Sequence, residues 1–262
     1  MDRMKTVDPQ TKNTSQMEFG LADIPAMLLV GGMGTRLRSV LPSTPKPLAP
    51  IGDASFLQML VLQLRSQGIR RIVMCTGHLA EQIEREFGDG RKWDVVIEYS
   101  KESWPLGTAG AVKLAECHLS RRSEFLVMNG DSFLQLDLRE FIRFHREHGG
   151  LVSIAVRKVP DGARYGTVEL DAHNRVIGFH EKTGAVVPGI VNGGVYAFNR
   201  AIFAHIPAGP SSLETDVFPN LLEYGVFALE QHGLFIDIGT PEDYARAQAI
   251  GLSLSQVAQP GK

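Results

Sequence analysis

Short apolar runs alternate with amphipathic stretches along the first half of the 262-residue chain. Four runs have the length of buried strands, namely 26–30, 72–76, 95–99 and 125–128. Between them, the apolar residues of 54–67 share one helical face, with Asp53 as the predicted cap and Gly68 as the stop. Further helices are predicted over 79–87 and from a Thr108 cap onward. This alternation of strands and helices favours a mostly parallel sheet with helices on both faces.

The second half is richer in short strands separated by turn residues. The predicted strands are 152–157, 167–170, 176–179 and 195–198. A last strand over 234–238 leads into a helix start at Thr240. We therefore expect an α/β fold: a Rossmann-like, mostly parallel mixed sheet flanked by helices, with a small antiparallel part. One domain is predicted over 24–252, between a flexible tail at 1–23 and another at 253–262.

Composition and charge narrow the possible functions. The formal net charge is −2, which argues against a nucleic-acid partner. No apolar run approaches the ~18 residues of a membrane span, so no membrane partner is expected. The polar N-terminal stretch lacks the apolar centre of an export signal, which favours the cytoplasm.

Cysteines and histidines give no sign of a metal cluster. Cys75 and Cys117 lie in predicted apolar elements, and we expect two buried thiols. His145 and His148 lie three positions apart on a predicted helix, where a solvated face is favoured over a shared metal.

A glycine-rich loop follows the first strand directly. It reads Gly31-Gly32-Met33-Gly34-Thr35-Arg36-Leu37. Glycines let backbone N–H groups approach a phosphate, although the same loop could be a tight turn without a ligand. It is no Walker loop, and Leu37 stands where a dinucleotide fingerprint needs its third glycine. The nearby Pro45-Lys46-Pro47-Leu48 segment would hold Lys46, like Arg36, close to such a phosphate.

Together the loop and the Pro-Lys-Pro segment resemble the signature of sugar-1-phosphate nucleotidylyltransferases. The resemblance extends from about Ala26 to Tyr244. It implies the fold of nucleotide-diphospho-sugar transferases and transfer of a nucleoside monophosphate from a nucleoside triphosphate to a sugar 1-phosphate. Guanylyltransferases that use GTP and D-glycero-D-manno-heptose 1-phosphate fit best, followed by those for mannose 1-phosphate and then by uridylyl or thymidylyl enzymes.

The resemblance also assigns roles at the phosphates. Lys46 would balance charge at the reacting phosphates, and Asp131 and Asp237 would bind Mg²⁺, which is the expected cofactor. Asp237 is notable on its own, because a carboxylate within an apolar strand is costly unless it is paired or bound to metal. The nucleotide phosphates would be held by Gly31, Gly32, Gly34, Thr35 and Arg36.

The resemblance implies that Glu102 faces the edge of the base, so specificity for the base is predicted to depend on it. A carboxylate only accepts hydrogen bonds, and guanine offers two adjacent donors, whereas uracil and thymine offer one N–H between two carbonyls. Glu102 therefore favours guanine, unless it is an ordinary surface residue. The resemblance places Gly107 and Thr108 beside the base, and Gly77 is a weaker candidate there.

The sugar phosphate is expected to bind to the second half of the chain. The residues that match the family's pieces are Arg164, Tyr165, Gly166, Glu181, Lys182 and Asn192.

Two other classes of protein fit the sequence less well. A catalytically inactive nucleotide-sensing subunit is disfavoured because Arg36, Lys46, Asp131 and Asp237 are all present. A nicotinamide oxidoreductase is disfavoured by the missing third glycine. A homo-oligomer stays open, since no residue pattern decides the assembly state.

Overall fold

The computed structural model describes residues 20–119, 124–162, 166–180 and 187–250. Strands of the first half pair in parallel in the spatial order β6-β1-β4-β5. These strands are β1 (Ala26–Leu29), β4 (Arg71–Thr76), β5 (Val96–Lys101) and β6 (Glu124–Asn129).

The second half extends the same sheet to nine strands. Its strands are β8 (Val152–Val159), β9 (Thr167–Leu170), β10 (Val176–His180), β11 (Gly189–Asn199) and β12 (Val226–Glu230). Strand β11 lies antiparallel to β6 and β8, while β12 runs parallel to β8. The predicted mixed α/β sheet, with antiparallel additions, is therefore confirmed.

Two small sheets and five helices complete the described fold. The small sheets pair β2 (Pro50–Ile51) with β3 (Ala54–Ser55), and β7 (Ser132–Leu134) with β13 (Phe235–Asp237). The helices are α1 (Phe56–Ser66), α2 (Ala80–Phe87), α3 (Gly107–Leu114), α4 (Leu138–His148) and α5 (Pro241–Ile250).

Apolar side chains are buried on both faces of the sheet. Ala26 and Leu28 belong to one hydrophobic cluster, while Met27 belongs to the other. This is the pattern of a sheet covered by helices on both sides. Leu21 is also buried in the first cluster, so ordered packing begins before residue 24. Within the described ranges, no helix has the length and apolar character needed to cross a membrane.

Two predicted helix caps are wrong. Helix α1 is capped by Ser55 rather than Asp53, because Ser55 and Gln58 form a reciprocal capping box after the β2–β3 pair. Helix α3 begins at Gly107, and the hydroxyl of Thr108 caps nothing because it bonds a distant segment of the chain.

Two side chains also lie in other surroundings than predicted. Cys75 is buried, but Cys117 is exposed on the turn that follows α3. His145 is 3% exposed rather than solvated, because its Nδ1 lies 2.9 Å from Ser153 Oγ under the sheet. Burial lowers the pKa of His145 to about 4.

Candidate active site

A cleft of about 460 Å³ opens where the carboxyl ends of β1, β4 and β6 meet. This edge of a parallel sheet is where open α/β folds bind ligands. Most of the predicted nucleotide residues line the cleft, as do two residues from the second half of the chain. The lining includes Gly31, Gly32, Gly34, Thr35, Arg36, Lys46, Glu102, Gly107, Thr108, Asn129, Asp131, Glu214 and Gly239.

The glycine loop turns from β1 into a short 3₁₀ helix over Thr35–Leu37. Gly34 makes the turn with a φ of 57°, and buried Leu37 anchors its far side. The backbone N–H groups of residues 31–36 donate to no described residue. A run of unpaired amides at the end of a strand is suited to a phosphate.

Lys46 lies in the cleft wall directly beside this loop. A second 3₁₀ helix, Lys46–Leu48, with buried Pro47, fixes its backbone. Its side chain is only 13% exposed, and Nζ lies 2.6 Å from Asp131 Oδ2. A methyl group on Gly34 would lie 3.1 Å from Lys46 Cβ, so the glycine lets the two segments approach. The prediction that Lys46 lies beside the glycine loop is confirmed in geometry.

Asp131 and Asp237 come together through the small β7–β13 sheet. Asp237 pairs with Ser132, and the N–H of Ile238 donates to the carbonyl of Asp131 at 3.0 Å. Asp237 Oδ1 accepts from the N–H of Gly239 at 2.7 Å. Burial, and then the charge of Asp131, raise the pKa of Asp237 to about 6.

These two carboxylates fit a hard divalent cation. Two hard oxygen donors that repel each other in a half-buried place are stabilised by a shared positive charge. The described part of the chain contains no cluster of three or more His, Cys, Asp or Glu side chains suited to a metal. Phosphate oxygens and water would therefore complete the coordination, as is usual for Mg²⁺. Arg36 approaches from the side of Gly239, where its Nη1 would lie 3.9 Å from a methyl group on that glycine.

Glu102 is part of the cleft wall rather than an ordinary surface residue. Its Oε2 accepts from the N–H of Leu106 at 3.1 Å. A methyl group would lie only 2.5 Å from its Oε1 if placed on Gly77, and 3.1 Å if placed on Gly31. Burial raises the pKa of Glu102. Gly77 does not line the cleft, but its lack of a side chain lets the Glu102 carboxylate lie there.

The other two base-side candidates have structural tasks as well. Gly107 has a φ of 71°, and a methyl group on it would lie 2.5 Å from the carbonyl oxygen of Ser211. The hydroxyl of Thr108 donates to Glu214 Oε2 at 2.9 Å and accepts from the N–H of Leu213 at 2.7 Å. The first turn of α3 is thus tied to the segment 211–214.

The predicted sugar-phosphate residues are only partly visible. Gly166 is exposed at the start of β9, and Asn192 lies half-buried on β11. Neither lines the cleft. The predictions on Arg164, Tyr165, Glu181 and Lys182 lie outside the described residues.

Glu214 also lines the cleft, although the sequence does not predict it as a site residue. Its bonds reach Thr108, 106 positions away, and Tyr196, 18 positions away. No local motif could have identified it, because these contacts arise only from the packing of β11 and α3.

Comparison with known proteins shows the family of this chain. The family described as "Nucleotidyl transferase" matches residues 25–252. A mannose-1-phosphate guanylyltransferase catalytic subunit beta of Drosophila pseudoobscura pseudoobscura is 35% identical over 240 residues, which are 90% of this chain and 65% of that protein. The chain thus spans less than two thirds of that relative.

Two other matches cover nearly the whole of the protein compared. A D-glycero-alpha-D-manno-heptose 1-phosphate guanylyltransferase of Aneurinibacillus thermoaerophilus is 39% identical, over 85% of this chain and 96% of its own length. The crystal structure of HddC from Yersinia pseudotuberculosis is 34% identical and superposes with a TM-score of 0.78, over 87% of this chain and 99% of that one. HddC was also solved in complex with GMP-PN. By the extent of these matches, this chain belongs to the nucleotidyl transferase family.

Proposed function

We propose that the protein transfers GMP from GTP to a sugar 1-phosphate, with release of pyrophosphate and formation of a GDP-sugar. The observation that carries the proposal is the place of Glu102, whose carboxylate lies in the cleft wall beside the glycine loop. D-glycero-D-manno-heptose 1-phosphate is the first candidate acceptor, in view of the 39% identical relative. Mannose 1-phosphate is the second, in view of the Drosophila relative.

The reaction needs no nucleophile from the protein. A phosphate oxygen of the sugar 1-phosphate attacks the α-phosphorus of GTP in line, a new P–O bond forms, and the bond to pyrophosphate breaks. The backbone amides of the glycine loop, with Arg36 and Lys46, offset the negative charge of the phosphates. Asp131 and Asp237 would hold Mg²⁺. The bound ion supplies positive charge for the transferring phosphoryl group and for the leaving pyrophosphate.

Glu102 supports GTP over the pyrimidine nucleotides on electrostatic grounds. An ionised carboxylate meets the two adjacent donors of guanine, but it faces carbonyl oxygens in uracil or thymine. A hydrogen bond to a charged group contributes about 1.5–3 kcal/mol, or roughly 10–100-fold in selectivity.

The first experiment measures pyrophosphate release with Mg²⁺ for each nucleoside triphosphate against heptose 1-phosphate, mannose 1-phosphate and glucose 1-phosphate. Release confined to GTP with the heptose 1-phosphate is the expected result. Turnover with GTP and mannose 1-phosphate alone would favour the second acceptor. No pyrophosphate release in any combination would contradict the proposed transfer activity and would favour a nucleotide-sensing subunit.

The base-reading role is tested by Glu102→Gln. We expect the ratio of kcat/KM for GTP to that for UTP to fall by about 10–100-fold, because the amide presents a donor as well as an acceptor. Glu140→Gln, on the exposed face of α4, is the matched control and leaves the ratio unchanged. An unchanged ratio in Glu102→Gln would show that Glu102 does not read the base.

A further inference from the structure

Glu214 is the second glutamate that lines the cleft, at a different place from Glu102. It lies in the short helical turn Leu213–Val217 and lines the cleft with its half-buried side chain. It takes no part in the phosphate or metal chemistry described above.

Three hydroxyl groups hold the Glu214 carboxylate. Oε2 accepts from Thr108 Oγ1 at 2.9 Å and from Ser212 Oγ at 3.0 Å, while Oε1 accepts from the Tyr196 hydroxyl at 3.2 Å. An ionised carboxylate has about four acceptor sites, two on each oxygen. The described residues therefore use both sites of Oε2 and one site of Oε1. The remaining site on Oε1 is available to a ligand in the cleft.

The Glu214 carboxylate is held in place by a chain of hydrogen bonds in which each donor points toward Glu214. Tyr196 is fully buried, and burial raises the pKa of its hydroxyl well above the ordinary value. It thus stays protonated and gives its only proton to Glu214, while its oxygen accepts from Asn192 Nδ2 at 2.8 Å and from the side chain of Asn129. Asn192 Oδ1 in turn accepts from the N–H of Gly194.

The ligand group that suits the free site is a hydroxyl. A carboxylate can only accept, so the donor-free phosphates are excluded. The donors of guanine are assigned to Glu102, which accepts from the N–H of Leu106 just before α3. Hydroxyls occur on the acceptor sugar and on the ribose of GTP. The chain through Tyr196 to Asn192 and Asn129 joins Glu214 to the strand predicted to bind the sugar, which favours the acceptor sugar.

We propose that Glu214 accepts a hydrogen bond from a hydroxyl of the sugar 1-phosphate and so contributes to the choice of sugar, a role that rests on the transfer reaction proposed above. Glu214 is thereby a specificity-determining residue among those that line the cleft. Tyr196, which does not line the cleft, is a positioning residue that holds the carboxylate in one orientation.

The test compares Glu214→Gln with the wild-type protein in steady-state kinetics. We expect KM for the sugar 1-phosphate to rise about 10–100-fold while KM for GTP changes less than twofold. Monodeoxy sugar 1-phosphates then identify the hydroxyl. One analogue should lose affinity for the wild-type protein but show little further loss with the variant. Glu223→Gln, an exposed residue on the following helical turn, is the matched control.

Each other outcome overturns the proposal in a distinguishable way. An unchanged KM for the sugar 1-phosphate excludes the contact, and a rise confined to KM for GTP assigns Glu214 to the ribose instead. Glu214→Asp, which keeps the charge but retracts the carboxylate, is measured in parallel and gives the same comparison if the amide variant fails to fold. No turnover by the wild-type protein with any substrate pair refutes the transfer reaction itself.

Discussion

Asp237 carries an electrostatic cost in the cation-free protein, and its replacement by asparagine should remove that cost. Burial and the charge of Asp131 raise the pKa of Asp237 from 3.8 to about 6. A shift of about 2 pH units corresponds to ~3 kcal/mol. Because the pKa of this acid is raised in the folded state, the cost is complete above pH 6, shrinks as the pH falls and is gone below 3.8.

Urea unfolding at pH 8 in EDTA measures this cost directly. Asp237→Asn retains an oxygen for the N–H of Gly239 and should be more stable than the wild-type protein by about 1–3 kcal/mol, since burial of the amide offsets part of the gain. At pH 4.5 the difference should fall to about 1 kcal/mol or less. Asp53→Asn, at an exposed position, is the control.

Addition of a divalent cation should make the wild-type protein more stable than Asp237→Asn, the reverse of the order expected in EDTA. Mg²⁺ with GTP is expected to stabilise the wild-type protein but to have little effect on Asp237→Asn, because ligands stabilise only the state that binds them. A variant that is no more stable than the wild-type protein in EDTA at pH 8 would refute the account of Asp237. A variant that is equally stabilised by Mg²⁺ with GTP would refute its role as a metal ligand.

Two further predictions concern a buried histidine and a glycine behind the base site. The pKa of His145 is lowered to about 4, so the contribution of its neutral form to stability is complete above pH 6.5 and is lost as the pH falls. In urea unfolding, the wild-type protein should therefore lose ~2 kcal/mol more than His145→Gln between pH 7.5 and pH 5.0. Parallel pH profiles of the two proteins would contradict this. In Gly77→Ala the new methyl group would lie 2.5 Å from Glu102 Oε1 and 2.8 Å from the carbonyl oxygen of Gly31. We therefore expect kcat/KM to fall about tenfold or more for GTP and less for UTP. An equal loss for both nucleotides would show that only the fold is disturbed.

Much of the fold could be predicted because its signals are local. Apolar runs of strand length, separated by one-faced helices, specify a parallel sheet with few alternatives. The helix-cap predictions were wrong where two local signals competed, or where a residue distant in sequence bonded the predicted cap. Asp53 and Ser55 are both good caps, and the β2–β3 pair decides for Ser55. Thr108 looks like a cap, but Leu213 and Glu214 engage its hydroxyl.

In the candidate site, too, only the residues that lie close together in the sequence could be predicted. The glycine loop and the segment around Lys46 lie close in sequence, so a resemblance to known signatures finds them together. Glu214 and Tyr196 are connected only by tertiary packing, and neither belongs to a spacing that predicts binding. His145 shows the same limit, because a helix face gives no sign that Ser153 of the next strand covers it.

The start of α3 contacts both glutamates that line the cleft. Glu102 accepts from the N–H of Leu106, just before the helix, and Glu214 accepts from the hydroxyl of Thr108, one residue into it. The carbonyl of Ser211 accepts from the first turn and lies so close to Gly107 that no side chain fits between them. The two carboxylates are thus positioned by one short segment, residues 106–108. If each reads the donors of a different substrate, this turn sets the distance between the guanine and the sugar, and so aligns the attacking oxygen with the α-phosphorus.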